Sequence, residues 1–311
     1  MDSRTECVVF IGHAVGEPSL RAFERLAAEA PADHDVVFLL NGDPPPPDVE
    51  RRLGERLVRV TREDLLGFGY PEKCRRDGWK MLGNVDLLFL QARLRRPRHE
   101  RYWFVEYDVH WEGRWAVLFE HFRASRADVL ATILTPVGET PRKLEVLTRP
   151  PLVIPGALGW TRDEVIKGFL PICRLSRAAL DALDAAYALG LGGHAEFCLP
   201  TAAARAGLVL EDIGGRGPYV RPENRDRFYC ARGETYSHSP GTFVFRPAPR
   251  VLPRPNTLWH PVKPGGVAPM HPMRVRGNPL KKALETLKPF VWRAMIRLWF
   301  ATRWRPLKTP G

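Results

Sequence analysis

The aromatic run Tyr102-Trp103-Phe104-Val105-Glu106-Tyr107-Asp108-Val109 is apolar except for two carboxylates, one residue apart, near its end. Acidic groups so spaced suit Mn2+ or Mg2+, hard cations that take carboxylate oxygen and keep coordination positions open for phosphate oxygens. A diphosphate could complete such a shell. The same pair also reads as a solvated turn in which Asp108 caps the helical pattern that follows, Trp111 to Phe122. Spacing alone does not choose between the two.

The run itself reads as a strand. Alternate side chains of a strand share a face, so Glu106 and Asp108 are expected on one side and Tyr107 on the other. Upstream, Cys7 to Gly12 is a buried strand, Ser19 to Ala30 a helix capped by its serine, and Asp35 to Asn41 a second strand. Strand, helix and strand in so short a span make a βαβ unit, which predicts a parallel sheet covered by helices. Open sheets of this kind bind ligands at the carboxyl ends of their strands, where the acidic pair stands.

Four consecutive prolines make Asp43 to Asp48 a loop, and Leu57 to Val60 a short strand beyond it. Trp79 to Leu94 carries Met81, Leu82, Val85, Leu88, Phe89 and Ala92 on one helical face. After Val129 to Thr132, a further strand, Pro136 to Pro155 reads as a connection. Ile166 to Ile172 then leads to a helix capped by Ser176 and ending near Leu189. Glycines from Gly190 to Gly193 break it, and His194-Ala195-Glu196 opens a second helix that ends at Gly207. Beyond Gly214, glycine and proline dominate, with short strands expected at Arg227 to Cys230 and Thr242 to Phe245. The C-terminal part is therefore loop-rich.

The 311 residues, 44% of them hydrophobic, can build a sizeable core. An excess of 47 Lys and Arg over 35 Asp and Glu, a formal charge of +12, favours anionic partners such as sugar nucleotides, phospholipid surfaces or nucleic acid. The arginines are scattered, and neither zinc-finger spacing nor an RNA-binding aromatic signature accompanies them, so no nucleic-acid partner is expected. Five cysteines, odd in number and without a CxxC pair, fit a reducing compartment. The start of the chain lacks the basic and apolar regions of a signal peptide, which makes cytoplasmic the expected location.

A basic amphipathic tail, 271–311, closes the chain. Within it Phe290, Val291, Trp292, Ala294, Met295, Ile296, Leu298 and Trp299 cover most of a helix flanked by arginines, lysines and tryptophans. Such a segment suits a membrane interface better than a span, and 279–305 is expected either at a membrane surface, peripheral on its inner face, or docked on protein.

Beyond these local readings, WFVEYDVHWEGRW and TLWHPVK resemble the signatures of a nucleotide-diphosphosugar-transferase-like family of glycosyltransferase A fold. Gly78-Trp79-Lys80, Pro171-Ile172-Cys173-Arg174-Leu175-Ser176, His194-Ala195-Glu196, Pro200-Thr201 and Trp259-His260-Pro261-Val262-Lys263 carry the resemblance along residues 5 to 265. It implies one domain over 1–270, with a nucleotide-sugar-binding half at 1–135 and an acceptor-side half at 136–270. It also implies transfer of a sugar from a nucleotide-diphosphate donor to the hydroxyl of a glycan or lipid-linked acceptor, as in surface glycan synthesis, with Mn2+ or Mg2+ as cofactor.

Carried onto this chain, the resemblance makes Asp108 a metal ligand and a catalytic residue, and Glu106 a second ligand or a partner of the donor's ribose or sugar. The order Glu-Tyr-Asp departs from an Asp-any-Asp pattern, and the longer glutamate leaves that choice open. His260 becomes the late histidine completing the shell, against a packed loop histidine. Lys263 neutralises diphosphate or is a solvated lysine. Glu196 is the catalytic base, with His194 in reserve, or it serves the helix dipole. Trp79 and Lys80 face base and phosphate, or are a core tryptophan beside a surface lysine. Gly12 and His13 lie where the nucleotide base is expected. Trp111, Trp115 and Trp160 stack on sugar rings or belong to the core.

Two other classes stay open. A scaffold that kept the fold would bind donor without turnover. A nucleotidyltransferase would make pyrophosphate, and usually has a glycine-rich basic loop after its first strand; Gly12 to Gly16 lacks the basic residue.

Overall fold

In the computed structural model the described residues are 6–74, 84–139, 152–230, 242–243 and 255–262. The strands are β1 (Glu6–Gly12), β2 (His34–Leu40), β3 (Leu57–Arg59), β4 (Arg101–Glu106), β5 (His110–Trp111), β6 (Val129–Pro136), β7 (Ile166–Ser176), β8 (Leu210–Asp212) and β9 (Leu258–Trp259). The α-helices are α1 (Glu17–Glu29), α2 (Pro47–Leu53), α3 (Arg62–Leu66), α4 (Val85–Arg95), α5 (Trp115–Phe122), α6 (Arg177–Ala188) and α7 (Ala195–Arg205).

Seven strands form one sheet in the order β3-β2-β1-β4-β7-β6-β8, and β5 pairs with β9 in a separate two-stranded ribbon. The first four run parallel, β7 runs antiparallel to both β4 and β6, and β8 is parallel to β6. The mostly parallel sheet flanked by helices, expected from the βαβ opening, is thus present. Its direction matters for function. The carboxyl ends of β1, β2 and β4 share one edge with the amino end of β7, so Gly12, Glu106 and Lys167 come to the same rim.

Strand β1 is buried along its whole length, as a central strand covered on both faces must be. One face packs Cys7, Val9, Phe104, Leu88 and Tyr187 into a core with α4, α6 and α7. The other packs Val8, Phe10, Trp103, Trp111, Phe119 and Phe228 with α1 and α5. No helix among the described residues is long and apolar enough to cross a membrane.

Several local expectations shift. Helix α1 starts two residues before Ser19, because Gly16 is the N-cap; Ser19 sits at the third helical position, where its Oγ accepts from Gly16 N at 2.9 Å. The last of the four prolines opens α2 instead of lying in a loop, its fixed φ and absent N–H being tolerated in a first turn. Ser176 caps α6 as expected, accepting from Ala179 N at 3.1 Å. Strand β7 runs on to Ser176, and β8 was not foreseen in the sequence because three residues show no periodicity. Arg227 to Cys230 is not a strand. Pro200 lies inside α7, whose N-cap is His194. The 271–311 tail lies outside the described residues.

Candidate functional site

Glu106 ends β4 as the register partner of Ile11, and Tyr107 continues the pairing by donating its N–H to Ile11 O at 2.9 Å. The chain then turns, Val109 N bonding Glu106 O at 2.9 Å. Asp108 therefore belongs to a turn and not to the strand, which corrects the expectation that pleat alternation sets its direction. The turn nonetheless leaves both carboxylates on the same rim. Asp108 does not cap the next helix either: the N-cap of α5 is Arg114, and Trp115 N is taken by Glu29 Oε2 at 2.9 Å.

Far along the chain, β9 pairs antiparallel with β5, Trp259 opposite His110 and Leu258 opposite Trp111. Continuing past β5, the chain brings His260 back beside Asp108, and Val262 N donates to Asp108 O at 2.7 Å. A cis peptide joins His260 to Pro261. The imidazole is seated between Phe169, at 5.2 Å between ring centroids, and Phe243, at 5.3 Å. Its Nε2 lies 3.5 Å from Asp108 Oδ1 and 3.9 Å from Glu106 Oε2. One donor atom from each of Glu106, Asp108 and His260 falls within 4.8 Å of the others. Two carboxylate oxygens and one imidazole nitrogen form a donor set that fits Mn2+ well and Mg2+ less readily, since imidazole suits transition ions.

Glu196 stands in the first turn of α7 with 18% of its side chain exposed. Burial raises its carboxyl from near 4.5 to about 8, the Lys167 ammonium opposing that rise and the Glu106 carboxylate adding to it. Glu196 is thus electrostatically coupled to the rim that holds Glu106. His194 is occupied as the helix cap, its Nδ1 accepting from Glu196 N at 3.3 Å, and burial keeps its pKa below the usual histidine range. Lys167, almost wholly buried at the amino end of β7, was missed in the sequence. Its signal was one lysine in an otherwise apolar strand start, IKGFL.

The glycine-broken turn before α7 is anchored from below. Lys73 Nζ donates to Gly193 O at 2.6 Å and pairs with Asp86 Oδ2 at 3.1 Å, both side chains being fully buried. The Tyr187 hydroxyl donates to the same Asp86 oxygen. Neither Lys73, which lies in a turn, nor Asp86, in the first turn of α4, was singled out in the sequence.

On the other side of the rim, exposed His13 packs its ring edge-on to Tyr107, centroids 4.8 Å apart. Gly12 ends β1 and Asn41 N donates to its carbonyl at 3.0 Å. Of the two readings open for them, Trp111 and Trp115 take the core one; Trp111 packs on Phe228 and Trp115 on Phe119. Trp160 is half-buried. Trp79, Lys80 and Lys263 lie outside the described residues.

No protein-family model matches this sequence, and no curated protein matches it. Among solved structures it is similar to the galactosyltransferase LgtC in complex with donor and acceptor sugar analogs, at 12% identity and a TM-score of 0.34, over 55% of this chain and 57% of that one. It is also similar to the mannosyltransferase PcManGT from Pyrobaculum calidifontis in complex with GDP-Man and Mn2+, at 15% identity and a TM-score of 0.31, over 57% and 46%. A third, 4-diphosphocytidyl-2C-methyl-D-erythritol synthase from Anaerococcus prevotii, matches at 11% identity and a TM-score of 0.37, over 71% and 91%. The match spans little more than half of the galactosyltransferase's own length. At such distances function has to be argued from the side chains on the rim.

Proposed function

We propose that this chain is a metal-dependent glycosyltransferase of the A-fold type that moves a sugar from a nucleotide diphosphate to an acceptor hydroxyl. The observation that carries the reading is the convergence of Glu106, Asp108 and His260, drawn from two distant parts of the chain, on one point at the carboxyl edge of the sheet. Those three residues would hold Mn2+ or Mg2+. When bound, the cation supplies positive charge to the donor's diphosphate as the sugar leaves.

The remaining work falls to the protein. Lys167 adds a fixed, desolvated positive charge near the same rim. Glu196 takes the proton of the acceptor hydroxyl as that oxygen attacks the sugar, a role that favours inversion. Its carboxyl must be ionised to do so; burial is the chief opposition, and a cation held beside Glu106 would offset only the smaller contribution of that carboxylate. His13 and Tyr107 offer aromatic surface to the nucleotide base at the ends of β1 and β4. Lys263, Trp79 and Lys80 are proposed donor contacts from the sequence resemblance. The tail 279–305 is proposed to hold the protein at the inner membrane surface, near a glycan or lipid-linked acceptor.

The test is a thermal-shift panel of UDP-, GDP- and dTDP-sugars with and without Mn2+, repeated on Asp108→Ala. Stabilisation by one donor that requires both metal and Asp108 supports the site and names the base. A folded protein that no donor stabilises would remove the transferase reading. Stabilisation without any release of nucleoside diphosphate, with acceptors supplied, would point to a donor-binding scaffold.

A further inference from the structure

The opposite edge of the sheet carries a second cluster of metal-binding groups. Cys7 and Asp35 are register partners near the amino ends of β1 and β2, so both side chains emerge on the same face. His99 stands in the turn that enters β4, and its Nε2 lies 3.3 Å from Asp35 Oδ2. One donor atom each from Cys7, Asp35 and His99 lies within 4.8 Å of the others. From this arrangement we propose a zinc-class site, formed by the Cys7 thiolate, an Asp35 carboxylate oxygen and the His99 imidazole, on the edge remote from Glu106, Asp108 and His260.

Three observations support a built site. The first is the donor set, since thiolate, imidazole and carboxylate are the groups Zn2+ takes. With metal–ligand bonds of about 2.0–2.1 Å for nitrogen and oxygen, neighbouring donors in a tetrahedral shell stand roughly 3.3 Å apart. The Asp35–His99 separation already has that value.

The second is burial of the imidazole. His99 is 6% exposed, so its Nε2 faces Asp35 with little competition from water.

The third is preorganisation of the turn that holds the imidazole. Arg177 Nη2 donates to His99 O at 2.8 Å, Tyr102 OH donates to Arg96 O at 2.7 Å, and the His99 ring lies edge-on to Tyr102 at 6.0 Å. Outer contacts of this kind hold a ligand's orientation before metal arrives.

Two features set the strength of the site. The Cys7 thiol is fully buried, and burial raises its pKa, so capture of the ion releases the thiol proton to solvent as the sulfur–metal bond forms. Arg96 Nε stands 3.8 Å from Asp35 Oδ2 and competes for that carboxylate. The ion, thiolate and carboxylate are together neutral, so the guanidinium is not repelled outright. The Asp35 side chain is 23% exposed, which leaves a way in for the ion and room for water as the fourth ligand.

The test uses Co2+ as a spectroscopic stand-in, titrated into the full chain after metal is stripped with chelator. Cobalt bound to a thiolate shows a sulfur-to-metal charge-transfer band in the near ultraviolet, which the sulfur-free Glu106, Asp108 and His260 cluster cannot produce. The expected result is a saturable band that Zn2+ bleaches, Cys7→Ser abolishes, His99→Gln weakens by at least about tenfold in affinity, and Asp108→Ala leaves intact. Absence of the band at saturating Co2+ in folded protein overturns the proposal, leaving Asp35 as an ion-pair hub for Arg96 and His99. Survival of the band in Cys7→Ser overturns it equally, assigning the signal to another cysteine. Should Cys7→Ser fail to fold, Asp35→Asn and His99→Gln decide: unchanged affinity in both rejects the site.

Discussion

His260 Nε2 lies 3.5 Å from Asp108 Oδ1, and the contact is made at one end of a two-stranded ribbon, Asp108 just before β5 and His260 just after β9. The histidine is held by Phe169 and Phe243, the aspartate by a turn whose carbonyl accepts from Val262 N at 2.7 Å. Neither group can leave without disturbing packed neighbours, which is the rigidity a metal site needs.

Asp108→Asn and His260→Gln should each lower Mn2+-dependent turnover of the preferred donor by about 100-fold, the equivalent of ~3 kcal/mol of lost charge stabilisation, with little change in melting temperature of the metal-free protein. Steady-state rates across a Mn2+ titration check this. Wild-type rates in both variants would show that the cluster has no part in turnover.

Glu196 gives a pH signature. Its carboxyl is raised from near 4.5 to about 8 in the folded protein, so the unfolded chain binds fewer protons between those values. Stability from this group is therefore complete below pH 4.5 and lost as pH rises towards 8. Glu196→Gln, which cannot ionise, should become more stable relative to wild type over that window, by about 2–4 kcal/mol at its upper end. Urea titrations of metal-free protein at several pH values measure it, and a difference that stays flat from acid to alkaline pH counts against the burial.

Gly42 faces the His13 carbonyl so closely that an added Cβ would stand 2.0 Å from His13 O. Gly42→Ala must push the two loops apart, costing about 1–3 kcal/mol. Because His13 packs on Tyr107, donor affinity should fall along with melting temperature; a loss of stability with unchanged donor affinity would separate His13 from the base site.

Lys73 and Asp86 form a buried ion pair, and removing one partner strands the other. Lys73→Met should destabilise by about 3–5 kcal/mol, and the double change Lys73→Met with Asp86→Leu should recover much of that loss. Denaturation midpoints of the four proteins in this cycle test it. Equal stability of wild type and Lys73→Met would mean that the pair contributes nothing net.

What could be read in advance depended on periodicity. β1, α1, β2, α5 and α6 each have several apolar residues at regular spacing, and their bounds in the sequence and in the fold differ by a few residues at most. Strand β8 and the β5–β9 ribbon are two or three residues long, too short for any period, and exist because of pairing partners far away in the chain. In the candidate site, Glu106 and Asp108 stood out as charges in an aromatic run, and His260 through a motif resemblance. Lys167, Lys73 and Asp86 did not stand out, since a buried charge differs from a surface one only through its neighbours. The turn at Asp108 shows the same limit: two carboxylates came together, but by a local hydrogen bond and not by strand alternation.

The β5–β9 ribbon also ties ligand binding to chain topology. Asp108 and His260 are separated by roughly 150 residues, a closure that carries a substantial entropic cost and comes late in any folding order governed by sequence separation. An ion shared by the two ends would act as a clasp, reinforcing the strand pairing that already holds 255–262 beside β5. Protease sensitivity of that segment would then fall as occupancy rises, so that a cut near Thr257 serves as a gauge of how full the site is.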